Sequence, residues 1–378
     1  MVRRAGAAAV SRFGKRPAAG RFFPIRDSRS GFSAGQRRGT ELDTSDFPTL
    51  PIPQTVPPTA SPLAEFRVKR TSEVHVHAAN LAAWEQRYEQ TSHGRFEGVV
   101  RELVDGDIQV FEEEASCATS QHCQPWPGGV WIGLAVPEAA PGLRFMGRPA
   151  HGMQLMLASG ERPFDLQVPA GHGLYGMVFH RDRLVRHLQD LHHRDWPQAA
   201  ALGPSVQPLS PLQRLRLVGM VREVLRSLQA EPGVLRHEAS RTALRDMLLS
   251  VLADTLAPDT VSEAAPAALR RRQELVERAR ELVFAQPHQP PRVEQLCVQL
   301  HVTRRTLQNC FQDVLGMSPA TYLRTVRLNA VRRALREDPA PDTIADIAAR
   351  WGFWHMGHFS HDYKALFGET PSQTRAAR

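Results

Sequence analysis

From Ala268 onward, helix start and stop signals alternate so regularly that the chain has little choice but a bundle of short capped helices. Leu275, Val276, Ala279, Leu282 and Val283 recur at helical spacing and end before Pro287. A second helix is predicted over residues 292–300, with a turn at His301-Val302. A third runs over 304–315, with Thr303 placed to cap its free N–H groups and Gly316 to end it in the left-handed conformation. Ser318-Pro319 opens a fourth helix, because proline fixes φ where its missing N–H is not needed. The order then returns. Thr343 and Asp346 resemble a capping box, and Ile344, Ile347, Ala348 and Trp351 share one face. Gly352-Phe353 turns, residues 355–367 form a helix, Gly368 stops it, and Thr370-Pro371 restarts. Two helix-turn-helix units joined by one long helix are expected within residues 268–378.

Residues 63–190 carry a different period. Phe66 and Val68, then Val74 and Val76, alternate with polar neighbours, and residues 96–104 and 107–113 flank Asp105-Gly106, a hairpin signal of type I′. Further strands are predicted at 130–136, 153–157, 164–168 and 174–179, with one helix near 81–90. Residues 191–256 switch back to helical spacing, with a hairpin of two amphipathic helices broken at Pro232-Gly233, suited to packing on the β domain or on a second copy. Residues 257–267 read as a linker. Residues 1–62, rich in Arg, Gly and Pro without apolar periodicity, read as a disordered basic arm. The fold expected is a multidomain α+β chain: a β-rich, cupin-like sensor domain with a helical hairpin, then an all-α double helix-turn-helix domain.

Charge is unevenly placed. The 378-residue chain carries a net +8. Residues 1–41 hold net +8, residues 42–267 net −6, and residues 268–378 net +6. A basic module at one end is the electrostatic footprint of nucleic-acid binding, although a charged helix face is more often only solvated surface. No apolar run is long enough for a membrane-spanning helix, and four Cys without a CxxC pair exclude a zinc ribbon or a dense disulfide framework.

A helix of about 13 residues is roughly 20 Å long and fits a major groove about 12 Å wide. In the first reading helix the outward positions are Arg304, Arg305, Gln308 and Asn309, following the cap Thr303. Arg pairs in a fork with guanine, and Gln or Asn with adenine. In the second, His355, Met356, His358 and His361 are the outward candidates, while Phe359 and Tyr363 face inward. Lys364 and Arg327 suit phosphate, which sets register and not sequence.

The stretch Arg327–Ser372 resembles the DNA-binding domain of the AraC/XylS regulators. It carries Ile-Ala-x-x-x-Gly-Phe, a His-Phe-Ser helix, Tyr363-Lys364 and Phe-Gly-x-x-Pro-Ser. The resemblance covers about 110 residues. More loosely, residues 88–188 are similar to the sensor domains of members that answer to ethanolamine or aromatic acids. The family's groove-facing positions match Arg305, Gln308 and Asn309 in the first helix, and Gly357, His358 and His361 in the second. The resemblance implies sequence-specific promoter binding as a cytoplasmic, nucleoid-associated bacterial activator. RNA polymerase, a homodimeric partner copy and a small-molecule effector would be its partners, with no cofactor and no membrane.

His355, His358 and His361 have no carboxylate or Cys beside them except Asp362, which is expected to point elsewhere, and favour DNA over metal. Cys297 with His301, Cys117 with Cys123 and His122, and His75-x-His77 on one strand face are at most half-sites. No Cys lies in the Pro-Cys-His-Arg setting of a DNA-repair methyl acceptor, and no phosphate loop, nucleophile elbow or HExxH occurs, so neither catalytic nor metal residues are assigned. Trp126, Trp131, Phe145 and Tyr175 are the candidates for an effector pocket, set against ordinary β-core packing.

Overall fold

The computed structural model describes residues 64–136, 141–192, 203–256, 267–285, 291–337 and 342–377. The basic arm and almost all of the linker lie outside them. The front half is two antiparallel sheets. Strands β1 (Glu65–Thr71), β3 (Gly98–Asp105), β4 (Ile108–Ala115), β6 (Gly129–Val136), β9 (Gln154–Ser159), β11 (Gly173–His180) and β12 (Ser205–Pro208) form a seven-stranded sheet. Its order is β1-β3-β4-β11-β6-β9-β12. A five-stranded sheet holds β2 (Glu85–Gln90), β5 (Thr119–Gln124), β10 (Phe164–Val168), β7 (Arg144–Phe145) and β8 (Arg148–Pro149). The two-sheet, cupin-like architecture expected from the short alternating strands is therefore present.

Strand period decides the layers. On β11, Leu174 and Val178 face the second sheet, while Tyr175, Met177 and Phe179 face the helices. On β6, Trp131 and Ala135 point one way and Val130, Ile132 and Leu134 the other. The seven-stranded sheet is thus a central layer, buried on both faces. Helices α2 (Arg181–His192), α3 (Pro211–Ala230) and α4 (Glu238–Thr255) cover its outer side through Leu217, Val221, Leu225, Leu248 and Leu252. Ser210 caps α3 by a reciprocal box with Gln213, and Pro211 opens it. The hairpin therefore packs on the β domain, one of the two expected modes. Leu212 and Leu215 of α3 remain exposed.

Two local expectations are corrected. The hairpin between β3 and β4 pairs Asp105 with Ile108, so its central residues are Gly106 and Asp107. Only Gly106 has positive φ, at +61°. That is the pattern of a type II′ turn, not I′. Next, residues 74–78 form a short helix, α1 (Val74–Ala78), and the segment expected to be helical near 81–90 contributes β2 instead. Tyr88 to Gln90 pair with β5 and are buried, so the sheet edge overrides the local helical spacing. His75 and His77 consequently sit on a helical turn rather than one strand face.

The C-terminal module follows the expected capped order: α5 (Ala267–Ala285), α6 (Val293–Gln299), α7 (Arg304–Leu315), α8 (Pro319–Glu337), α9 (Ile344–Arg350), α10 (Met356–Phe367) and α11 (Pro371–Ala376). It has two small cores. Leu307, Phe311, Tyr322, Leu323 and Val326 belong to one; Leu328, Val331, Leu335, Ile347, Phe359 and Tyr363 to the other. At about 100° per residue, α8 presents nearly opposite faces to them. One rigid helix therefore serves both helix-turn-helix units.

Candidate nucleic-acid interface

Helices α7 and α10 are each fixed at both ends by their own sequence. The Thr303 hydroxyl accepts from the Thr306 N–H at 3.1 Å, and Gly316 closes α7 at φ +70°. In α10 the His355 ring takes the same place: its Nδ1 accepts from the His358 N–H at 3.2 Å, and Gly368 closes the helix at φ +70°. Both stops use the conformation that only glycine adopts without strain.

With the ends fixed, the amphipathic spacing sets what faces out. Leu307, Cys310, Phe311 and Val314 are buried on α7, leaving Arg304, Arg305, Gln308 and Asn309 exposed. Arg304 is held beside Glu294 of α6 at 3.3 Å, an exposed pair that water and salt weaken. On α10, Phe359, Tyr363, Leu366 and Phe367 are buried, and Gly357, His358, His361 and Lys364 are exposed. His355 is exposed but committed to capping, which orients its ring along the helix start. Met356 is only half exposed and packs against the second core. Asp362 is paired with Arg324 across to α8. Arg327 is half buried, and its pKa is lowered by that burial and by Arg292. One exposed residue was not singled out from the sequence: Trp354, 88% exposed, stands against the His355 ring at the head of α10. Its signal was available, since a large aromatic in a turn outside the apolar spacing has no core to enter.

The expected effector aromatics lie elsewhere. Trp126, Trp131, Phe145 and Tyr175 are each no more than 2% exposed. Trp131 stacks on Phe164 at 4.3 Å between the sheets, and Tyr175 belongs to the helix-side core with its hydroxyl near Arg222 at 3.4 Å. Trp126, Trp131 and Phe145 lie in the core between the sheets and Tyr175 in the helix-side core. Among the described residues no group of three or more His, Cys, Asp or Glu could hold a metal ion.

The module's other side is locked to the β domain. Asn329, midway along α8, exchanges two hydrogen bonds with the backbone of Gln90, each 3.1 Å. Gln90 Nε2 donates to the Leu366 carbonyl at the end of α10, at 2.8 Å. Arg332 and Arg336 meet Glu73, and Arg333 meets Glu89 at 3.3 Å. Arg280 of α5 pairs with Asp165 of β10, which His122 also approaches at 2.9 Å. Burial alone would raise the Asp165 carboxyl, but the charges of Arg280 and His122 bring it down to about 2. The exposed residues Arg304, Arg305, Gln308 and Asn309 of α7 and Gly357, His358, His361 and Lys364 of α10 are left outside this seam.

Residues 296–377 match the family model described as a helix-turn-helix domain. Over 100 residues the chain is 39% identical to the "Probable thc operon regulatory protein" of Rhodococcus erythropolis, covering 26% of this chain and 30% of that protein. It is 28% identical over 162 residues to the XylDLEGF operon transcriptional activator of Pseudomonas putida, covering 42% of this chain and 47% of the relative. A solved transcriptional regulator with an AraC-type DNA-binding domain, from Chromobacterium violaceum, is 30% identical over 28% of this chain and 94% of its own, with a TM-score of 0.26. The chain spans less than half the length of the two curated relatives. The C-terminal module is thus a helix-turn-helix domain. The relatives it matches are regulatory proteins by name, which supports its resemblance to the AraC/XylS regulators.

Proposed function

We propose that this chain is a sequence-specific transcription regulator that binds promoter DNA through α7 and α10 and senses a small molecule through its β domain. The carrying observation is the pair of capped helices that share α8 and expose polar, basic faces from their N-terminal turns. At 1.5 Å per residue, α8 with its 19 residues is about 28 Å long. That spacing suits two readers in successive major grooves, roughly 34 Å apart on one side of the duplex. Arg305, Gln308 and Asn309 would read bases from α7, and Gly357, His358 and His361 from α10. Thr303, Arg304, His355 and Met356 frame these helix starts, and Lys364 would hold phosphate. RNA polymerase and a second copy of the chain are the expected partners; the exposed Leu212 and Leu215 of α3 supply an apolar strip for the latter. No helix among the described residues is long and apolar enough to cross a membrane; a cytoplasmic, nucleoid-associated place is part of the proposal.

The test is selection of bound fragments from random duplex DNA by the full chain. A recovered motif with two half-sites about one helical turn apart supports the reading. Recovery of unrelated sequences that all release at moderate salt would reduce it to non-specific binding.

A further inference from the structure

The most exposed large hydrophobic side chain among the described residues stands in the turn that leads into α10: Trp354 is 88% exposed. Its neighbours account for the position. Trp351 and Phe353 pack against the second core, and the Phe353 ring lies 5.1 Å from that of Phe359. The turn backbone is bonded back onto α9: the Gly352 N–H donates to the Ala349 carbonyl at 2.9 Å, and the Phe353 N–H to the Ala348 carbonyl at 3.0 Å. With Phe353 turned in, the next side chain points out, and the turn that carries it is held.

Two more rings continue the line along the helix start. The His355 ring is T-shaped to Trp354 at 5.6 Å, and the His358 ring follows at 4.3 Å. All three residues are exposed. Gly357 leaves room for this arrangement, since a Cβ there would sit 3.2 Å from His355 Cε1. The cap also fixes the hydrogen on His355. Its Nδ1 accepts from the His358 N–H at 3.2 Å, which a protonated nitrogen could not do, so the neutral ring is a donor through Nε2. A single exposed apolar side chain is ordinary surface. This one has a held support, a donor beside it, and a place at the N-terminal turn of α10, the part of a groove-bound helix that meets base edges. There an indole cannot fork onto a base as Arg or Asn does. What it can cover is the one apolar group on the major-groove edges, the C5-methyl of thymine, and the same edge presents the O4 acceptor.

We propose that Trp354 and His355 together select a thymine in the half-site of α10: the indole covers the C5-methyl group, and His355 Nε2–H donates to O4. The inference rests on the regulator reading above. It adds a base that is read from the turn ahead of the helix, beside those met by the outward face of α10. Cytosine offers a donor and no methyl on the corresponding edge, so the pair of groups discriminates between the two pyrimidines.

The experiment measures binding of the full-length chain, as wild type, Trp354→Ala and Trp354→Phe, to the duplex recovered by selection from random DNA, with each thymine replaced in turn by deoxyuridine. Uracil keeps O4 and the base pair and lacks only the methyl. Because the side chain is exposed, both variants should melt at the wild-type temperature. At one thymine the replacement should weaken wild type about three- to fivefold, the factor that one buried methyl group supplies, and leave Trp354→Ala unaffected. Trp354→Phe should keep part of the response. A 5-methylcytosine–guanine pair at that position keeps the methyl and puts an amino donor where O4 was; it should weaken wild type about tenfold or more. A scan in which no thymine responds, or a response equally large in Trp354→Ala, overturns the proposal. So does 5-methylcytosine bound as well as thymine. A Trp354→Ala protein that binds every duplex more weakly by one factor, with no thymine singled out, would put the indole on the sugar-phosphate backbone and overturn it too. The two failures are distinct. A selected motif without a Trp354-dependent thymine leaves the regulator reading standing; if no motif is selected, that reading falls and this inference with it.

Discussion

Arg332 of α8 and Glu73, just ahead of α1, meet across the seam with two hydrogen bonds of 2.8 and 3.0 Å, and each side chain is only 7% exposed. Arg336 reaches the same carboxylate at 2.8 Å, and Glu369 meets Arg332 at 2.9 Å. Two arginines and two carboxylates thus form a network, buried at its Arg332–Glu73 centre, that ties the first turn of the β domain to the helix shared by both helix-turn-helix units. Breaking such a pair by removing one partner costs about 3–5 kcal/mol, because the remaining charge is left buried. Glu73→Gln should fall near the lower end, since Glu369 still faces Arg332. The expected outcome is a lower urea midpoint, partly restored when Arg332→Met is added. A midpoint equal to wild type would mean that the network does not hold the seam.

Asp165 gives the seam an acid limit. Its carboxyl titrates at about 2 against an ordinary value of 3.8, so the folded state holds the charged form. The contribution is fully present above the ordinary value, shrinks as pH falls below about 4, and is gone near 2. The shift corresponds to on the order of 2 kcal/mol. Asp165→Asn should therefore be less stable than wild type at pH 7, and the gap between the two denaturation midpoints should narrow from pH 4 downward. A gap that stays constant across that range would assign the loss to packing rather than to charge.

On the proposed reading, α7 and α10 separate specificity from affinity. Arg305→Ala or Gln308→Ala should relax base choice at one or two positions and cost about 1–3 kcal/mol on the preferred site. Lys364→Ala should weaken all sequences alike and flatten the dependence of log K on log salt by about one unit. Binding to selected and scrambled duplexes over a salt series distinguishes the two. A lysine variant that alters the preferred sequence would place Lys364 on bases.

Helices α7 and α10 could be placed from sequence because their information is local. Thr303, Gly316, Ser318-Pro319, Thr343, Gly368 and Thr370-Pro371 each act on the backbone within four residues, so the helix limits fall within a residue or two of expectation. The long strands at 98–105, 129–136, 164–168 and 173–180 were equally open to reading, from their alternation. What stayed hidden is non-local. β2 is a strand because β5 lies beside it, and α1 forms where the chain leaves β1 with Val74, His77 and Ala78 turned inward. Glu73 and Arg332 are 259 residues apart, and nothing in either neighbourhood marks the other. The stacking of Trp131 on Phe164 inside the sandwich is likewise set by strands far apart in sequence.

Gly368 links the end of the second reader to that seam. It stops α10 at φ +70°, and a Cβ built there would sit 3.3 Å from Arg95 Cγ and the Arg95 backbone nitrogen, and 3.4 Å from the Gly94 carbonyl carbon. Gly316 stops α7 at the same φ, but a Cβ there meets only Arg144 Nε, at 3.8 Å. The left-handed conformation alone costs a non-glycine residue roughly 1–2 kcal/mol. Gly316→Ala should lose about that much and no more. Gly368→Ala should lose more, because backbone atoms of residues 94 and 95 cannot swing aside as a long side chain can. The extra loss has a specific address. The Gly94 N–H donates to the Leu366 carbonyl at 3.0 Å, the same oxygen that Gln90 Nε2 uses. Pushing residues 94 and 95 away strains both bonds. Hydrogen exchange at Gly94 should therefore quicken in Gly368→Ala and stay at the wild-type rate in Gly316→Ala. Equal exchange at Gly94 in the two variants would mean that the end of α10 does not bear on the β domain.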